Sequence, residues 1–145
     1  MTDTTPARAL QRILIRVEYD GTGLVGWQRQ DNGPSVQAIL EQAAEKLTTQ
    51  PTRVQGSGRT DAGVHATGQA AHLDVPTHLT ATDVMRGLNA LLETHQVSVV
   101  SAQPVAAAFN ARFDAVQRFT VFWPAPPPQP YAEMQSGITV QNWML

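Results

Sequence analysis

Ile13, Ile15, Val17 and Tyr19 alternate with Leu14, Arg16 and Glu18, so one side of this stretch is apolar throughout. A period of two residues is the mark of a β-strand with one face on a core. Asp20-Gly21-Thr22-Gly23 breaks the alternation, and Asn32-Gly33-Pro34 forms a second turn cluster. Val36, Ile39, Leu40, Ala43, Ala44 and Leu47 then repeat at helical spacing, with Ser35 placed as N-cap and Pro51 beyond the end. A second strand is expected where Ala71, Leu73 and Val75 alternate with His72 and Asp74. Thr80-Ala81-Thr82-Asp83 has the spacing of a capping box and opens a second helix, whose apolar stripe is Val84, Leu88, Leu91 and Leu92. Leu88 and Leu91 are both expected in the core. Gln96 to Ala102 and Val116 to Trp123 read as further strands.

The elements named run in the order β-α-β-α-β-β. It predicts an α+β fold: a mostly antiparallel sheet with two helices on one face. The opposite face must then meet something else, be it another domain, another chain or RNA. Residues 1–11 read as a disordered leader, 12–123 as the α+β domain and 124–145 as a proline-rich tail. No fixed-period repeat is present.

Composition narrows the class. The 145 residues suit one domain, and 42% hydrophobic content is enough for a core. Charged residues make up only 15%, and the net charge is −2, which does not advertise a nucleic-acid binder. Nine of the ten cations, however, are Arg, the side chain suited to bidentate phosphate contacts and to stacking on bases. There is no Cys, which excludes disulfides and thiolate metal sites. The four His residues lack metal-ligand spacing, so no metal is expected. The N-terminus has no apolar segment of the signal-peptide kind, and no run is long enough to span a bilayer. The expectation is a cytoplasmic protein without membrane contact.

The chemistry concentrates in Gly56-Ser57-Gly58-Arg59-Thr60-Asp61-Ala62-Gly63-Val64-His65-Ala66. Glycines let a backbone approach another molecule closely. An Arg two residues from an Asp can hold the carboxylate ionised and aimed. Taken alone, Asp beside Gly is an ordinary turn residue. The whole run, with Gly68-Gln69, resembles the G-R-T-D-A-G-V-H-A signature of the TruA-type family of tRNA pseudouridine synthases. Tyr19-Asp20-Gly21-Thr22, Gly26-Trp27-Gln28, Ser35-Val36-Gln37, Leu40-Glu41, Arg86-Gly87-Leu88-Asn89-Ala90 and Phe109-Asn110-Ala111-Arg112-Phe113 are similar to further family segments, in order, from about Arg12 to Arg118. In the last of these, Asn110 stands where the family usually has His.

That resemblance implies isomerisation of uridine to pseudouridine at positions 38 to 40 of the tRNA anticodon stem-loop, by a homodimer, with no cofactor. It makes Asp61 the catalytic carboxylate, as nucleophile or as base, with Arg59 as its partner. Arg59 also has a second possible task, filling the space of a flipped uridine. Arg29, Arg53 and Arg112 are candidate phosphate contacts. His65 is a candidate for RNA contact or for closing the loop. Trp27 is a candidate for stacking on RNA or for packing beneath the loop, and packing is the favoured reading.

After Arg118 the resemblance stops. Thr120 stands where the family places a Tyr that stacks on the uracil, and Pro124 to Pro130 holds five prolines in seven residues. The expectation is a truncated form, frameshifted near Arg118 and lacking the family's second half. A sheet left open in this way is expected to self-associate. The alternatives are an inactive RNA-binding or dimerising fragment, and an α+β interaction module with a proline-rich docking tail.

Overall fold

The computed structural model describes residues 9–112. The expected strand at Val116 to Trp123, Thr120, the proline-rich tail and most of the expected leader lie outside the described residues. Six elements follow one another: β1 (Leu10–Tyr19), α1 (Val36–Thr48), β2 (Gln55–Gly56), β3 (Ala66–Pro76), α2 (Ala81–Leu91) and β4 (Val97–Val105). The sheet order is β2-β3-β1-β4, and each neighbouring pair is antiparallel. This is the α+β arrangement read from the alternation, with the βαββαβ order of a ferredoxin-like half.

The apolar face of β1 dictates the layering. Ile13, Ile15 and Val17 are fully buried and face Leu73, Ala71 and Gln69 across the β1–β3 ladder. Val36, Leu40 and Ala44 of α1 and Val84 and Leu88 of α2 close over them in one core cluster. Both helices therefore lie on the same sheet face. Gly87 lets them meet: a Cβ there would stand 2.5 Å from Leu47 Cδ1. Leu91 does not belong to this core. It is 37% exposed, because the stripe turns away from the sheet in the last turn, and Leu92 just beyond is buried instead.

β1 begins at Leu10, not after a leader ending at residue 11. Polar Gln11 hides the start of the strand from a pattern reading, yet it pairs with Val75 and its side-chain amide donates to the Leu79 carbonyl at 2.5 Å. β2 is only two residues long, too short for any periodicity to reveal.

Two bulges shape the sheet. β3 carries an extra residue between the positions facing Val17 and Tyr19, at the exit of the Gly-rich loop. β4 carries one at Val100, which is 52% exposed. Next to it, Asn89 of α2 donates to the Val99 carbonyl at 3.0 Å and accepts from the Val99 N–H at 2.8 Å, satisfying both backbone groups of an edge-strand residue. Among the described residues no helix is long and apolar enough to cross a membrane.

The second sheet face is partly covered by the chain itself. Leu14, Ala70, Val105 and Phe109 form a small second cluster there. The segment after β4 thus folds back onto the face opposite the helices.

Helix ends are set locally. Ser35 accepts from the Ala38 N–H at 3.1 Å. Thr80 and Asp83 make both bonds of the capping box, at 3.0 Å each. α1 ends on Thr49 in the left-handed region, at φ 59°, a conformation that disfavours a β-branched residue. Two substitutions should therefore act in opposite directions in urea unfolding. Thr80→Ala should lower stability by about 1 kcal/mol. Thr49→Gly should raise it by about 1 kcal/mol.

Candidate functional site

The Gly-rich loop after β2 is held main chain to main chain against the loop that follows β1. Trp27 N–H donates to the Thr60 carbonyl at 3.0 Å, and Gly63 N–H donates to the Leu24 carbonyl at 3.2 Å. Such bonds need the two backbones close together, and glycine supplies the room. Gly26 sits at φ +115°, and a Cβ there would lie 2.5 Å from the Thr60 carbonyl oxygen. At Gly21 it would lie 2.1 Å from the Val64 carbonyl oxygen. At Gly56 it would lie 2.6 Å from the Trp27 indole.

Buried aromatic side chains carry the loop from below. Trp27 is 3% exposed and packs at 6.4 Å, tilted, on Tyr19, which is 4% exposed. The Tyr19 hydroxyl is hydrogen-bonded to Thr60 Oγ1 at 2.8 Å. Burial pushes the Tyr19 phenol well above its ordinary pKa, so it remains a neutral hydrogen-bonding group. Trp27 thus lies beneath the loop, with Gly56 and Tyr19 packed against its ring.

His65 closes the loop on its other side. Its Nδ1 accepts from the Gly21 N–H at 2.8 Å, which puts the ring proton on Nε2. Asp20 Oδ1 lies 3.2 Å from the same nitrogen. The bond to Gly21 already uses the Nδ1 lone pair, so the neutral ring gives Asp20 no hydrogen bond there. Asp20 is held instead by Thr22, whose hydroxyl and N–H keep its carboxyl below the usual range.

Arg59 and Asp61 project from the loop as exposed side chains. The expected pairing between them is not made: among the described residues the ion pairs are Arg12–Asp74, Arg29–Glu41 and the His65–Asp20 approach. The backbone explains this. Thr60, between them, is tied inward through its carbonyl and hydroxyl, and the Asp61 carbonyl accepts from the Val64 N–H at 3.1 Å in a tight turn. The carboxylate is left to solvent and to whatever docks above the loop.

Arg59 opens onto a cleft of about 700 Å³, shared with Arg29, Arg53 and Arg112. All three expected phosphate contacts thus gather with Arg59 around one hollow. Asp61 does not line it, and His65 lines a separate hollow of about 420 Å³ with Glu18, Asp20 and Gln96. The cleft is strongly cationic although the whole chain is not. Among the described residues its one lining carboxylate is Glu41, which accepts from Arg29 Nε at 3.1 Å and Nη2 at 2.8 Å through Oε1, and from the Val54 N–H at 3.0 Å through Oε2. One turn earlier, Gln37 Oε1 accepts from the Arg29 N–H at 2.9 Å and its Nε2 donates to the Val54 carbonyl at 3.0 Å. Gln37 and Glu41 stand in two of the family-like segments, and they hold Arg29 and Val54 in place, a task the motifs alone did not assign. Their i, i+4 spacing on α1, facing away from the apolar stripe, was the available signal.

No group of three or more His, Asp or Glu able to hold a metal is gathered among the described residues.

The family described as tRNA pseudouridine synthase matches residues 15–114 of this chain. The chain is similar to the tRNA pseudouridine synthase A of Rhodospirillum rubrum, 55% identical over 107 residues that cover 74% of this chain and 38% of that protein. It is 52% identical to that of Paramagnetospirillum magneticum over 109 residues, covering 75% and 43%. With that of Afipia carboxidovorans it shares 48% identity over 113 residues, covering 78% and 46%. The chain spans less than half the length of these relatives.

The main-chain docking of the two loops is testable through Gly26. Gly26→Ala should lower the unfolding free energy by about 2–3 kcal/mol, since it adds backbone strain and a collision with a carbonyl that is itself hydrogen-bonded. Urea unfolding measures this, and a loss under about 1 kcal/mol would show that the loops do not depend on that contact.

Proposed function

The chain belongs to the tRNA pseudouridine synthase family, and on that footing we propose that it works on tRNA, as the wall of an active site that isomerises uridine to pseudouridine in the anticodon stem-loop. The observation that carries this reading is the gathering of Arg29, Arg53, Arg59 and Arg112 around one cleft, with the loop bearing Asp61 at its margin. Four guanidiniums on one hollow fit a phosphate backbone. They answer the objection raised by the net charge, because the cationic groups are local.

Asp61 is the reacting carboxylate. Pseudouridine formation breaks the C1′–N1 bond, turns the uracil and joins C1′ to C5. Either a nucleophile at the sugar or a base acting on it must be ionised. An exposed carboxylate on a loop fixed at both sides meets that need. Since no ion pair ties Arg59 to Asp61, Arg59 is free to take up RNA when it docks. A base within a stem must leave the stack to be reached, and in this reading Arg59 fills the gap it leaves. Positions 38 to 40 are the substrate positions, and the working form is a homodimer; both rest on the resemblance of the loop and its flanking segments.

A second reading, RNA binding without turnover, also has an observation behind it. Among the described residues the cleft's one aromatic, Trp27, is buried, so the cleft offers guanidinium and amide groups but no exposed ring to stack on a uracil.

Turnover on a uridine-labelled anticodon stem-loop separates the two. Under the first reading the chain forms pseudouridine, and Asp61→Asn lowers the rate by at least about a hundredfold while stem-loop binding persists. Unchanged turnover in Asp61→Asn would remove Asp61 from the chemistry. Binding with no pseudouridine formed would favour the second reading. Under both, Arg53→Ala should reduce the slope of log affinity against log salt by about one.

A further inference from the structure

The face of the sheet opposite the helices carries a polar cluster that the proposed chemistry leaves unused. Arg12 of β1 grips Asp74 of β3 with two parallel bonds, Nε to Oδ1 at 2.9 Å and Nη2 to Oδ2 at 3.1 Å. Its remaining nitrogen, Nη1, donates to the Phe109 carbonyl at 2.6 Å. Beside it His72, 7% exposed, accepts the Ala111 N–H on Nδ1 at 3.0 Å. The Phe109 ring meets the His72 ring edge-on at 6.4 Å and packs against Leu14 and Ala70. Ala111 is completely buried. The residue that follows it is Arg112, one of the four arginines of the cleft.

We propose that Arg12 and His72 are positioning residues for Arg112: they anchor the returning segment at Phe109 and Ala111 and so set the guanidinium at the cleft. The role of the cleft rests on the reading above; the anchoring itself does not. The argument is one of reach. Arg side chains are long and flexible, and a guanidinium contributes to a site only when its backbone origin is fixed. The two residues just upstream that bear contacts are fixed from the far side of the sheet, one through its carbonyl and ring, the other through its N–H. A segment needed only to cover apolar surface would be served by Phe109 alone. The polar bonds add a fixed register.

The anchor is sensitive to protonation. His72 must present a lone pair on Nδ1, and protonation converts that acceptor to a donor facing another N–H. Among the described residues the charges that act on it are those of Arg12 on β1 and Asp74 on its own strand. Burial and the Arg12 charge hold His72 below its ordinary 6.5, against a smaller opposing effect of Asp74. The unfolded chain therefore takes up this proton first. The contribution is complete above pH 6.5 and is lost as pH falls through the folded value. Asp74 is itself held below 3.8, chiefly by its bonds to Arg12.

Three variants of the full chain test this. His72→Phe keeps the bulk and removes the acceptor. His72→Asn places an oxygen near the position of Nδ1 and does not titrate. Arg112→Ala removes the guanidinium. In hydrogen exchange followed by NMR without RNA, the Ala111 amide should be protected in the parent at neutral pH and lose protection on acidification. It should be unprotected in His72→Phe at every pH and protected without pH dependence in His72→Asn. Equal protection in the parent and His72→Phe overturns the anchor.

With a synthetic anticodon stem-loop as probe, His72→Phe and Arg112→Ala should each weaken binding about fivefold, and the double variant should be no weaker than Arg112→Ala alone. Additive losses, about twenty-five-fold in the double variant, overturn the positioning role. If the parent binds no stem-loop, the RNA reading falls, while the Ala111 amide and the order of the Arg112 Nε–H signal still decide the anchor.

Discussion

The cleft side of the molecule depends on two loops docked backbone to backbone. Trp27 N–H to the Thr60 carbonyl and Gly63 N–H to the Leu24 carbonyl join the segment after β1 to the segment after β2. Neither loop has regular structure of its own to rely on. Each gains its shape from the other and from the aromatic pair beneath, Tyr19 and Trp27. The exposed side chains of Arg59 and Asp61 can be left unpaired in solvent because the residue between them is tied down twice. Rigidity here resides in the main chain, and the two exposed side chains stand on it.

The same economy appears on α1. Its apolar stripe packs the core, while Gln37 and Glu41 reach sideways to fix Arg29 and Val54. One helix thereby sets a wall of the cleft and the start of β2. The remaining wall comes from the opposite sheet face, where the segment after β4 returns under Arg12 and His72. Elements on both sides of the sheet thus converge on one cationic hollow.

What could be read from the sequence was what is local. The alternation of Ile13 to Tyr19, the spacing from Val36 to Leu47, the Ser35 cap and the Thr80–Asp83 box each involve residues a few positions apart, and each is found in place. Leu91 was misread because periodicity says which residues share a stripe but not where the neighbouring surface ends. β2 was invisible at two residues. The return of Phe109 and Ala111 to the sheet depends on partners 97 and 39 positions away, and no local pattern announces that. In the site, the resemblance picked out the Asp61 loop and its arginines. The Arg59–Asp61 spacing suggested an ion pair that is not made among the described residues, and the resemblance left Gln37 and Glu41 without a role.

The glycines around the loop fall into two kinds when judged by what a side chain there would strike. At Gly21 and Gly26 the obstacle is a carbonyl oxygen of the main chain, Val64 or Thr60. Every residue type carries that atom, so no replacement elsewhere removes the conflict. At Gly56 the obstacle is the Trp27 indole. A smaller side chain at position 27 would clear it, at the expense of the support it gives Tyr19. A side chain at position 56 therefore calls for a companion change at position 27, whereas at positions 21 and 26 no companion change relieves the conflict.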